Sequence, residues 1–365
     1  MTRYVVRMIL RRAAKVLSWL LYFLTIMAAY GGYFNPDRWT FPSIWVLFFP
    51  YLAILTLIVA GFWLVKRHFI IGGVGILVLM SSGPTFSEAL PFRFGHTPSN
   101  KEKTFRMITF NCLHLTDQKN RKAKFNRSLH FLIHSDADFI CLQELYSVGQ
   151  PEVPKRYQKQ IDSLLQIYPY YSKDGNREIE FLSKYPFQQQ NLKLELGSKY
   201  GNCAAYKFEI DGDSLTVINV HLTSYLLSTS ERRIITEAHS KSGVKKSLKK
   251  FEGSVYRKMK RAFQERAKLS ESIAEYAASV PGNVIVCGDF NDVPGSWSYR
   301  NFTRRGFDDA YAETGFGHMF TYNQHLMLFH IDQILYKGEL MPLYVRKERL
   351  NASDHYPLVA EFEFL

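Results

Sequence analysis

Three long stretches near the N-terminus place apolar residues one after another with no Asp, Glu, Lys or Arg: residues 16–34, 39–65 and 69–87. Each reaches the roughly 20 apolar residues that cross a bilayer, which predicts transmembrane helices at about 16–34, 44–65 and 69–87. The third is the most broken, by Gly72, Gly73, Gly75, Gly83 and Pro84. Residues 88–104 are polar and contain proline, and they read as a linker. Beyond it the pattern changes to short runs of Val, Ile, Phe and Tyr alternating with stretches of helical spacing. Strands are predicted at 105–111, 138–143, 178–183, 203–210, 214–221, 283–288, 330–336 and 358–364, and helices at 121–134, 155–167, 246–279 and 296–304. Asp211-Gly212-Asp213 between two strand runs reads as a hairpin turn. Hairpins mixed with crossovers predict an α/β sandwich of two sheets with helices outside, occupying residues 105–365.

Charge sharpens the reading of the front. A cleaved signal peptide would account for the first run alone, with Arg11, Arg12 and Lys15 before it and small residues near Ala28. Two further runs follow at once, so a membrane anchor of three helices is the better account. Arg3, Arg7, Arg11, Arg12 and Lys15 precede the first run, and Lys66, Arg67 and His68 separate the second from the third. The positive-inside rule puts both groups in the cytoplasm. Three spans then deliver residues 105–365 to the far side, which for a bacterial inner membrane is the periplasm; a third run that only dips would leave them cytoplasmic.

The formal charge of +13 is unevenly spread. Residues 1–90 carry +6, mostly the topology signal, and residues 241–268 carry +9, leaving the remainder at −2. One basic segment thus carries the positive charge of the domain, as a candidate contact for phosphate backbone or anionic lipid, with a solvated helix face as the default. Cys112, Cys141, Cys203 and Cys287 show no CxxC spacing and read as small buried hydrophobes.

Candidate chemistry gathers where apolar runs end. Asn111 closes MITFN, Gln143-Glu144 follows FICL, His221 ends VINVH, Gly288-Asp289-Phe290-Asn291-Asp292 follows VIVC, Asp332 lies in HIDQIL, and Ser353-Asp354-His355 precedes the last strand. Carboxylates and imidazoles at the mouths of buried strands are what metal-assisted hydrolysis of a phosphate ester requires. Taken singly, each has a bland reading: a strand-end salt bridge for Glu144, an Asx turn for the GDFND segment, a structural role for His221. The remaining histidines, His114, His130, His134, His239, His318 and His325, read as surface or structural.

Taken in order, with LSKYP at 182–186, these motifs resemble the endonuclease/exonuclease/phosphatase superfamily. The resemblance implies the four-layer, deoxyribonuclease-I-like sandwich, here preceded by transmembrane helices. It further implies Mg²⁺ (or Mn²⁺) held by Glu144 with Asn111, Asp289 and Asp354 nearby. Catalytic roles would fall to His221 on the scissile phosphate, Asp289 on the attacking water or leaving oxygen, Asn291 on a non-bridging oxygen, and His355 oriented by Asp332. Two departures bear on substrate: Arg177-Glu178-Ile179-Glu180-Phe181 stands where glycine-isoleucine-alanine is usual, and His330 where arginine is usual. The expected substrate is a phosphodiester, of nucleic acid or of a phospholipid head group. A sphingomyelinase-like enzyme or inositol-phosphate phosphatase is the enzymatic alternative, and a silent membrane-anchored binding protein the non-enzymatic one.

Overall fold

The computed structural model describes residues 3–115, 125–145, 155–172, 178–190, 192, 202–210, 212–225, 253, 255–324 and 328–365. The predicted elements at 121–124 and 246–252, together with Arg177, Asp211, His239 and His325, lie outside them.

The apolar front folds as helices α1 (Arg3–Tyr30), α2 (Phe41–Val46), α3 (Phe49–Val65), α4 (Phe69–Ser81) and α5 (Gly83–Ala89). The second run is thus not one helix from 44 to 65: Leu47 and Phe48 break it, and Pro50 sits in the first turn of α3, where a ring without an N–H is tolerated. The third run bends by 70° between α4 and α5, at Ser82, with Pro84 again in a first turn. By length and composition α1 can cross a membrane, the bent pair α4–α5 is a broken span or re-entrant loop, and α3 is a shorter apolar helix of 17 residues. Close approach holds these helices together. A Cβ on Gly75 would meet Tyr22 and Ala60 at 2.6–2.7 Å, Thr25 and Thr56 share a hydrogen bond of 2.8 Å, and Trp63 Nε1 donates to Ser18 Oγ. Their outward residues, among them Leu17, Phe23, Ile58, Phe62, Ile70 and Leu77, are exposed and apolar.

The rest is a sandwich. One sheet runs in the order β11 (Leu340–Lys347), β12 (Leu358–Phe364), β1 (Thr104–Asn111), β2 (Phe139–Gln143), β4 (Ile179–Ser183), β3 (Tyr170–Tyr171). The other runs β5 (Phe187–Gln190), β6 (Asn202–Ile210), β7 (Asp213–His221), β8 (Asn283–Asp289), β10 (Asp332–Lys337), β9 (Asp308–Asp309). Alternation sorts each strand's side chains. In β8, Ile285 and Cys287 face the opposite sheet while Val284 and Val286 face outward. Phe105, Phe139, Phe181, Tyr206 and Phe208 fill the space between sheets, with Phe181 stacked on Tyr206 at 4.3 Å. Helices α6 (Arg127–Ile133) and α7 (Gln158–Ile167) cover one outer face, and α8 (Tyr256–Ser279) and α9 (Trp297–Thr303) the other, which completes four layers. The parallel pairs β1–β2 and β7–β8 lie at the centre, where both faces are covered.

All eight predicted strands are present, shifted by at most two residues, and four others were not anticipated. The longest of these, β11, contains Pro342, which argues against a strand; it is an edge strand whose register slips between Pro342 and Tyr344, where proline is tolerated. Residues 88–104 do not hang free as a linker. Arg93 N donates to Gly315 O, His96 N to Leu343 O, and Glu363 accepts from Ser99 and Asn100. All four cysteines are buried and free.

Candidate active site

Strand register assembles the site. In the second sheet His221 of β7 pairs with Asp289 of β8, and Asp289 pairs in turn with Asp332 of β10, so three functional side chains stand on neighbouring strands. In the first sheet Asn111 pairs with Gln143, and Glu144 is the next residue. Asn111 joins the sheets: its Nδ2 lies 3.0 Å from Glu144 Oε1 and 3.0 Å from Asp289 Oδ2. Asp289 Oδ2 is the hub, with His221 Nε2 at 3.8 Å and His355 Nε2 at 3.7 Å. His221 Nε2 also lies 3.7 Å from Glu144 Oε1.

Backbone conformation reinforces this placement. Glu144 and Asn291 both adopt left-handed φ, 53° and 50°, an uncommon state for residues with side chains that local contacts must hold. Glu144 N donates to Glu178 O, and its own carbonyl accepts from His114 N. Asn291 N donates to Asp289 Oδ1, and Asn291 Nδ2 to the carbonyl of Leu222, engaging one of its two N–H groups. Gly288 has φ 138°, and a Cβ there would stand 1.9 Å from the Val220 carbonyl oxygen, so only glycine lets β8 lie this close to β7.

His355 is buried, and Asp332 grips its Nδ1 at 2.9 and 3.2 Å. Burial alone would lower its pKa, but the charges of Asp332, Asp289 and Asp354 and the hydrogen bond from Asp332 hold it well above the ordinary imidazole value. The same contacts favour its protonated form. The Asp289 carboxyl is raised as well: burial lifts it above the usual range, with Asp332 adding to the shift and His355, His221 and Asn111 opposing it.

Among the described residues, two groups of three meet the geometry of a cation site, Glu144–His221–Asp289 and Asp289–Asp332–His355, with each group's ligand atoms within 4.8 Å of one another. The first fits a divalent cation better. Glu144 is half open to solvent, the carboxylates supply the oxygen donors a hard ion prefers, and neither ring nitrogen of His221 has a hydrogen-bond partner among the described residues. In the second, His355 is already neutralised by its own carboxylate. Asn111 turns its amide nitrogen toward the two carboxylates while its Oδ1 accepts from Leu113 N. Asp354 belongs to neither group; its carboxyl takes a weak hydrogen bond from Ser353 at 3.4 Å.

Several residues to which the sequence assigned no role support the site. Gln143, which reads as part of the Glu144 motif, points between the sheets: its Nε2 bonds Asn219 Oδ1 at 2.7 Å and Thr109 Oγ1 at 3.1 Å. Ser353 Oγ ties the His355 loop to the Asn111 carbonyl. Arg266 of α8 is fully buried, donating to Thr223 O at 2.8 Å and lying 3.5 Å from Asp292, so it braces the loops after His221 and Asp289 together. Of the two departures, Glu178 does reach the site, 3.9 Å from His221 Nδ1. His330 does not join the cluster: it is buried against Tyr311, and burial pushes its pKa down to about 3.

A four-layer sandwich with carboxylates and imidazoles at the adjoining ends of its central strands defines a phosphoric ester hydrolase. The profile of the Endonuclease/Exonuclease/phosphatase family matches residues 108–355, and the chain belongs to that family. The profile of a domain of unknown function (DUF8431) matches residues 11–86. No curated protein matches the sequence. Among solved structures, D. rerio TDP2 complexed with single strand DNA product is similar, with 14% identity and a TM-score of 0.50 over 71% of this chain and 99% of that one. An endonuclease/exonuclease/phosphatase from Beutenbergia cavernae has 13% identity and a TM-score of 0.46 over 72% of each chain. Beta toxin from Staphylococcus aureus has 16% identity and a TM-score of 0.43 over 70% of this chain and 99% of that one. At 14% identity the likeness to D. rerio TDP2 is one of fold.

Proposed function

We propose that the chain is a membrane-anchored, divalent-metal-dependent phosphodiesterase. The observation that carries this is the convergence on Asp289 Oδ2 of Asn111, His221 and His355, with Glu144 alongside. Glu144 and Asp289 would hold Mg²⁺ or Mn²⁺, with Asp354 near enough in sequence to His355 to serve an outer role. A cation held by these residues would supply positive charge to offset that of the phosphate and to activate water. Asp289, at the centre of the cluster, positions or deprotonates the attacking water. His355, held as a cation by Asp332, binds a non-bridging oxygen and stabilises the charge that builds there. His221 with its unpartnered nitrogens, and the second N–H of Asn291, complete the phosphate contacts.

The membrane part rests on the same chain. The cations Arg3 to Lys15 and Lys66 to His68 mark one end of the apolar helices, and the contacts to the sandwich come from the other end, at Tyr33, Asp37, Leu47, Tyr51, Thr85 and Glu88. This arrangement supports three passes, the catalytic domain 105–365 on the extracytoplasmic side and, in a bacterial inner membrane, the periplasm. The test of the chemistry is hydrolysis of bis-p-nitrophenyl phosphate by the full chain in detergent with Mg²⁺ or Mn²⁺. Glu144→Ala and His355→Ala should each lower kcat/KM by about 10³ or more. Wild-type rates in either variant, with the protein folded, would remove the assignment.

A further inference from the structure

The anchor packs on the loops that carry the catalytic groups, at the same end of the sandwich as the site. Val46 and Leu47 of the anchor share one buried cluster with Val293, two residues past Asn291, with Ile331, next to Asp332, and with Tyr322, whose ring stands 5.2 Å from that of His355. Backbone meets backbone as well: a Cβ on Gly32 would lie 1.8 Å from the Gly295 carbonyl oxygen, and one on Gly295 would lie 2.7 Å from Thr85. Arg300 fixes the joint, donating to Thr85 Oγ1 at 2.8 Å, pairing with Glu88 at 3.1 Å and lying 4.2 Å from the Tyr33 ring. A tether that only confined a soluble enzyme near a membrane would need none of these contacts. Here the ends of the apolar helices are part of the site's supporting shell, so the site lies at the level where those helices leave the bilayer.

Two surface features continue that level. Phe92, Phe94 and Phe316 form an exposed aromatic group joined to Phe86 of α5, with 60%, 80% and 62% of their surfaces open. Exposed aromatics at the end of an apolar helix belong to the interface between hydrocarbon and headgroups. On α8, Met259 and Phe263 pack on the anchor while Arg257, Lys260, Arg261 and Lys268 stay exposed, and Lys268 reaches Asp37 of the anchor at 3.8 Å. The described end of the basic segment, residues 255–268, thereby lies beside the anchor, where cations draw anionic headgroups.

We infer that the substrate is a phosphodiester of the membrane itself, the headgroup phosphate of a glycerophospholipid in the leaflet facing the sandwich. This rests on the phosphodiesterase reading and gives its substrate class. Water adds to phosphorus, one P–O ester bond breaks, and the leaving oxygen takes up a proton. The products are diacylglycerol and a phosphorylated headgroup, or phosphatidic acid and the free headgroup alcohol, according to which ester breaks.

The experiment reconstitutes the full chain in vesicles of phosphatidylethanolamine and phosphatidylglycerol with Mg²⁺ or Mn²⁺ and follows all four products. Bis-p-nitrophenyl phosphate, a single-stranded oligonucleotide and plasmid DNA are assayed in parallel. The expected result is metal-dependent turnover of lipid, absent in Glu144→Ala. Lys260→Gln with Lys268→Gln should lower lipid turnover by about fivefold per cation and leave bis-p-nitrophenyl phosphate turnover unchanged. Cleavage of the small diester or of nucleic acid without lipid turnover overturns this inference and leaves the phosphodiesterase reading standing. Failure on every diester, by a folded and metal-loaded protein, overturns both.

Discussion

Asp332→Asn removes one negative charge 2.9 Å from His355 Nδ1 and changes little else in size. Both partners are buried, at 1% and 5% exposure, so solvent screens little of the loss. Removing one member of a buried ion pair typically costs ~3–5 kcal/mol. Asp289 remains 3.7 Å from Nε2, which places the expected loss for the imidazolium near ~3 kcal/mol, the lower end of that range. If the imidazolium is the form that binds phosphate, kcat/KM near neutral pH should fall by roughly 10²-fold, and the alkaline limb of the pH–rate profile should move to lower pH. Stability follows the same sign. Because His355 titrates above its unfolded value, its contribution is complete below the ordinary imidazole pKa of about 6.5 and disappears as pH rises through the raised folded value. Thermal melts of the metal-free protein should therefore show Asp332→Asn losing most at about pH 6 and less in alkaline buffer. Rates within about threefold of wild type and an unmoved alkaline limb would refute the role given to the pair.

Gly288→Ala forces a Cβ to 1.9 Å from a backbone oxygen at φ 138°, so a loss of at least ~3 kcal/mol in chemical denaturation is expected, and a fully stable variant would contradict the register described. Arg266→Met leaves the Asp292 carboxylate buried without its cation and should cost ~3–5 kcal/mol, while adding Asp292→Asn should recover part of it; no recovery in denaturant titration would show that the pair is not coupled. His330 is kept neutral by burial down to about 3, so its contribution is present above about pH 6.5 and lost as pH falls from there toward 3. His330→Phe should accordingly flatten the acid limb of a pH–stability curve, and a limb unchanged in shape would sink that reading.

The sandwich was legible because its central strands are buried on both faces and therefore write long apolar runs, as VIVC before Gly288 and VINV before His221 do. Edge strands left weaker marks: β5 is Phe-Gln-Gln-Gln, and β11 carries a proline that a central strand would exclude. Site residues were legible for a related reason. His221 and Asp289 end such runs, and register brings them abreast of Asp332, the first residue of β10. What the pattern does not encode is partnership across long separations. Nothing near Arg266 announces Asp292 and Thr223, and nothing near Gly32 announces Gly295, because those contacts depend on how α8 and the anchor lie across the sheet. The break at Leu47 and Phe48 was hidden by a run that stays apolar through it, and that break turns α2 away from the line of α3, so that Val46 and Leu47 reach the sandwich.

The most direct test is the metal dependence of diester cleavage by the intact protein, measured on bis-p-nitrophenyl phosphate after EDTA treatment and again after adding back Mg²⁺ or Mn²⁺. The account predicts no cleavage in EDTA, recovery on adding either ion, and no recovery in Glu144→Ala. Cleavage that persists in EDTA, or that returns in Glu144→Ala as it does in wild type, would contradict it.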